Sequence, residues 1–105
     1  MWVDKKIYDK DIKDKVIKRI AGKVDVQLGK RGITEGFINE LKTRLKKEKV
    51  VKIRVLRSFR KTSQIDILDI AKILARKTGS RIYEIRGFTI ILIRDTKGNS
   101  VRHES

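Results

Sequence analysis

Residues 88–93 read F-T-I-I-L-I, a run that is apolar on both of the faces a strand presents. Side chains along a strand point alternately to opposite sides of the sheet, so such a segment needs cover on both. It is therefore expected at the centre of a sheet and not at its edge. Just upstream, residues 81–86 form a second candidate strand, and Gly87 separates the two as a tight hairpin would.

Further upstream the period changes from two to that of a helix. Ile67, Ile70, Ala71, Leu74 and Thr78 make one stripe, Gly79 stands where a left-handed C-cap would sit, and Ser63 with Asp66 matches a capping box. Residues 50–56 alternate, with Val51, Ile53 and Val55 on one face and Lys52 and Arg54 on the other. Thr34 is placed to cap a helix running to about Glu48, whose buried stripe is Phe37, Ile38, Leu41 and Leu45. Residues 24–28, V-D-V-Q-L, read as a short strand. A first helix over residues 9–21 follows Tyr8, with Ile12, Val16 and Ile20 at steps of four and Gly22 at its end. The predicted order is α-β-α-β-α-β-β. Helical crossovers make the first three strands parallel and the hairpin makes the last antiparallel. The expected fold class is α/β, a two-layer sandwich with a mixed four-stranded sheet.

A chain of 105 residues suits one domain, taken here as residues 1–94, with the polar residues 95–105 expected to form a flexible tail. Lysine and arginine number 28 against 13 acidic residues, a net charge of +15. That imbalance opposes compaction unless a polyanion compensates it, and nucleic acid is the leading partner class. The absence of cysteine excludes disulfides, thiolate metal sites and thiol nucleophiles. The first ten residues lack the apolar run of a signal peptide, and the longest unbroken apolar run, residues 90–93, is far too short to span a bilayer. A cytoplasmic location without a membrane partner is expected.

The positive charge is concentrated. Between residues 42 and 61 there are ten lysines and arginines against Glu48 alone, a net +9 of the chain's +15. Lys42, Lys46 and Lys49 fall on one flank of the second predicted helix, while Arg57, Arg60 and Lys61 lie in R-S-F-R-K-T, read as a basic loop. The strand-to-helix junction G-K-R-G, residues 29–32, brackets Lys30 and Arg31 with Gly29 and Gly32. Glycine allows a sharp turn or the close approach of another molecule, and the following helix N-terminus favours anions. The junction is not a Walker A loop, because Ile33 follows Gly32 where that motif requires lysine.

V-Q-L-G-K-R-G-I-T, V-V-K-I-R-V, I-A-K-I-L-A-R-K-T-G and the closing I-I-L-I-R occur here in that order. Together they resemble a CRM domain, the family of the bacterial YhbY proteins and plant organellar intron-splicing factors. The resemblance covers roughly residues 11–94 and includes the G-x-x-G and A-x-x-L-A-x-x-T-G patterns. It implies a fold like the C-terminal domain of bacterial translation initiation factor three, with the antiparallel last strand inside the sheet. It also implies binding of RNA, ribosomal RNA or pre-ribosomal particles in particular, during large-subunit assembly or as an RNA chaperone. Gly29, Lys30, Arg31 and Gly32 then form the RNA-contacting loop. One departure is Arg86-Gly87-Phe88, where many members carry an aliphatic residue beside glycine.

Aromatic residues for base stacking are few. Phe37 and Phe88 are expected in the core, and Phe59, inside the basic loop, either stacks on a base or packs locally. Recognition of RNA backbone and shape is therefore expected over sequence. His103 is the only histidine and lies in the predicted tail, while helix-terminal charge accounts for Asp66 and Asp69. No enzyme activity, metal, cofactor or small-molecule substrate is expected. A DNA-coating chromatin-type protein and a protein-interaction module with an open sheet face remain as alternatives.

Overall fold

Alternation in the sequence becomes pairing in the sheet. The computed structural model describes residues 2–3 and 24–94. Among them, five strands form one sheet: β1 (Trp2–Val3), β2 (Val26–Leu28), β3 (Val50–Val55), β4 (Ser80–Arg86) and β5 (Thr89–Arg94), in the spatial order β1-β4-β5-β3-β2. β2 and β3 are parallel, and β5 runs antiparallel to both β3 and β4. The four expected strands are thus present, three in one direction with the last inserted between two of them. Beyond these, the two-residue β1 pairs antiparallel with β4, Trp2 opposite Ile85. The helix expected over residues 9–21 and the tail over 95–105 lie outside the described residues.

Burial explains why β5 is central. Ile90 and Leu92 join Val51, Ile53 and Val55 in the main core, under Leu41 and Leu45 of α1 (Glu35–Glu48) and Ile70 and Leu74 of α3 (Ile67–Thr78). Ile91 and Ile93 point the other way and are buried with Val50, with Tyr83 packed partly against them. In β4 the ladder slips between Ile82 and Glu84, so that Ile82 and Ile85, three positions apart, both reach the main core. A one-residue bulge of this kind reverses the alternation at Tyr83.

Two sequence expectations need correction. Residues 57–62, read as a loop, lie in a seven-residue helix, α2 (Arg57–Ser63). The segment has one buried side chain, Phe59, and that burial supplies what a helix so short cannot supply by itself. Ser63 is consequently the end of α2 and not a cap of the next helix. Gln64 turns left-handed (φ 55°) to close α2, and the N-cap of α3 is Asp66, whose side chain makes no capping bond. Elsewhere local chemistry reads as expected: Thr34 Oγ1 accepts from the Phe37 amide (3.0 Å) at the start of α1, and Gly79 ends α3 at φ 69°.

Candidate nucleic-acid interface

Leu28 ends β2, and the chain must reverse within the six residues that precede α1. It does so through a hydrogen-bonded turn in which the Gly32 amide donates to the Gly29 carbonyl (2.9 Å). Lys30 and Arg31 occupy the two central positions and are exposed. Gly32 follows at φ 77°, a left-handed conformation that side chains other than glycine rarely adopt. Gly29 is constrained differently, since a methyl group there would lie 3.2 Å from Leu56 Cδ1. The two glycines therefore serve a sharp turn and close packing against the start of α2.

α2 is fastened beside this turn. The Leu56 amide donates to the Leu28 carbonyl (2.9 Å), and the Leu56 carbonyl accepts from the amides of Phe59 and Arg60 (3.1 Å each). Phe59 is buried at 8% exposure, and its ring edge would meet a methyl group on Gly32 at 3.7 Å. Of the two sequence readings for Phe59, local packing is the one observed, because the helix turns this side chain inward. Arg57 and Lys61 remain exposed on the outer side of α2.

The hairpin between β4 and β5 completes the same end of the molecule. Gly87 and Phe88 form its tip, and the Phe88 carbonyl accepts from the Val55 amide (2.8 Å). Phe88, expected in the core, is 48% exposed: at the tip there is no layer left to cover it. The Arg60 guanidinium lies over its ring, 3.5 Å from the centroid. Arg86 donates to buried Glu84 (2.8 Å from Nη2).

These three segments meet because of the topology. The carboxyl ends of β2, β3 and β4 lie on one side of the sheet, which is where crossover loops of open α/β sheets gather binding groups. Lys30, Arg31, Arg57, Arg60 and Lys61 are brought to that side, and among the described residues none is paired with a carboxylate. A groove of about 460 Å³ runs between Gly29, Lys30, Arg31, Gly32, Phe37 and Leu56.

The remaining predicted residues are elsewhere. Lys42 and Lys46 are exposed along α1, which runs back toward the opposite end of the sheet. Lys42 faces Lys77 across one shallow groove, and Lys46 shares another with Gly79, Ser80 and Arg94. Lys49 is half-buried as the left-handed C-cap of α1 (φ 71°), its carbonyl accepting from the Arg94 amide (2.8 Å). At 1.5 Å per residue, α1 separates Lys49 from the turn by about 20 Å. Arg86 and Phe88 are absent from the predicted set. Both lie in the segment 86–88, where the sequence departs from an aliphatic-glycine pair.

Gly32 provides a direct test of the turn. Gly32→Ala is expected to lower stability by about 1–2 kcal/mol, the cost of a left-handed L-residue. The added methyl group meets Phe59 at ordinary contact distance, so backbone strain alone sets the loss. Thermal melting should register a drop of roughly 5–15 °C; an unchanged midpoint would show that the turn does not need glycine.

Among the described residues no three His, Cys, Asp or Glu side chains come together as a metal site, and no helix is long and apolar enough to cross a membrane. The fold resembles the solution structure of SAV1595 from Staphylococcus aureus, a hypothetical protein proposed to bind RNA. That likeness has a TM-score of 0.59 at 23% identity over 86% of this chain and 90% of the other. The model of the CRS1/YhbY (CRM) domain family matches residues 9–94. The chain belongs to the CRS1/YhbY (CRM) domain family.

Proposed function

We propose that the protein binds structured RNA, holding phosphates with the Gly29–Gly32 turn and the outer side of α2, and that it acts in the cytoplasm in large-subunit ribosome assembly or as an RNA chaperone. The observation that carries this reading is the convergence, on the carboxyl side of the sheet, of five cations that have no carboxylate partner among the described residues. Such a cluster neutralises a phosphate chain and gains free energy by releasing counterions. The start of α1 adds backbone amides directed at the same region. Family membership and the proposed RNA binding of SAV1595 support RNA over other polyanions. Lys42, Lys46 and Lys49 form a secondary strip that extends the contact along α1.

The test is the double variant Lys30→Ala with Arg31→Ala. Both side chains are exposed, so the melting temperature should stay near that of the native chain. Affinity for ribosomal RNA fragments should fall, and the log–log salt slope should flatten by roughly 0.7 for each phosphate no longer neutralised. Unchanged affinity and slope would reduce G-K-R-G to a turn with no binding role. Equal competition by duplex DNA would favour the chromatin-type alternative.

A further inference from the structure

Phe88 is an unusual residue to leave in water. Among the described residues only it and Ile65 are large apolar side chains on the surface. Its position is nonetheless fixed. Its carbonyl is bonded to the Val55 amide, and Arg60, which covers the ring at 3.5 Å from the centroid, makes a long hydrogen bond to the Val55 carbonyl (3.4 Å). Ring and guanidinium thus hang from the same residue at the end of β3. Arg60 stacks within the range where a cation is attracted to a ring face, while 48% of Phe88 stays open.

We propose that Phe88, backed by Arg60, is a stacking platform for one unpaired base of a bound RNA strand. This rests on the RNA-binding reading and extends it from phosphates to a base. The surroundings select the occupant: Arg57 and Lys61 are exposed on the adjoining helix and have no carboxylate partner among the described residues. An aliphatic partner on the ring would leave these cations without counter-charge. A nucleotide brings both an anionic backbone and a flat π-face, and every base has such a face. The platform therefore discriminates unpaired from paired strands and is indifferent to base identity.

The experiment measures binding of the full chain to a short oligouridine and to a blunt RNA duplex, across a salt series. Phe88→Ala should weaken oligouridine binding by about five- to a hundredfold and change duplex binding far less. The salt slope should stay unaltered, because the cations that meet phosphates are all still present. Phe88→Tyr should retain native affinity, whereas Phe88→Leu should not. Since the ring is half exposed, melting of all three variants should stay close to native. Unchanged oligouridine affinity in Phe88→Ala, or full retention by Phe88→Leu, would overturn the platform. If Lys30→Ala with Arg31→Ala still weakened binding in that case, the RNA-binding reading would survive alone. If the native chain bound neither RNA, both would fall.

Discussion

A fourfold rise in monovalent salt is expected to weaken single-stranded RNA binding about a hundredfold. Each phosphate neutralised on a single strand contributes about −0.7 to the log–log slope, so the five clustered cations, Lys30, Arg31, Arg57, Arg60 and Lys61, give about −3.5. At about 0.1 M salt the screening length is near 10 Å, half the distance along α1 to Lys49. Lys42, Lys46 and Lys49 lie about one to two screening lengths along α1, so they add fully to the slope only if the RNA itself runs along the helix. A slope near −5.5 would indicate that it does, since eight cations would then meet phosphates. A nearly flat titration would remove the electrostatic account altogether. Filter binding or anisotropy over a salt series gives the slope.

The second large effect is expected from Phe59→Ala, in stability and binding together. Truncating a buried phenylalanine costs about 3–5 kcal/mol, which for a domain of this size lowers the melting temperature by more than roughly 12 °C. Phe59 is also the one buried residue of α2 and lies beneath Gly32. Losing it frees a seven-residue helix that has little stability of its own, and with it the placement of Arg57, Arg60 and Lys61. RNA affinity should drop even well below the melting transition, measured by circular dichroism and binding at one low temperature. Native melting in this variant would contradict the burial of Phe59.

The contrast between Phe59 and Phe88 shows where sequence reading reached its limit. Residues 88–93 disclosed a central strand because I-I-L-I has no polar face, and the core confirms it on both sides. The G-K-R-G junction was legible because glycines bracket charge between two periodic segments. R-S-F-R-K-T has no period to read: one apolar residue among basic and polar ones fits a loop and a short helix equally. Tertiary contact with Leu28, Gly29 and Gly32 decides between them, and that contact is invisible until the sheet is assembled. The same holds for the bulge at Tyr83, where I-Y-E-I fits either register. Lysine spacing put Lys42 and Lys46 on an exposed flank of α1, but Lys49, expected on the same flank, is the half-buried left-handed C-cap, and spacing does not say that this flank leads away from the turn.

Synthesis and assembly run in opposite senses in this sheet. β5 is the last of the described strands to be made, yet it alone joins β3 to β4, pairing Val50 with Ile93 and Arg54 with Thr89. Those partners are roughly 40 residues apart, a separation that makes closure slow compared with helix formation. Until Thr89 has been made, β3 and β4 both lack the neighbour they pair with in the finished sheet, and an unpaired edge of that kind is a template for a strand from another molecule. Arrival of the final hairpin seals both edges in one step. The same step carries Phe88 to the side of Arg60, so an incomplete chain has neither a closed sheet nor a finished surface.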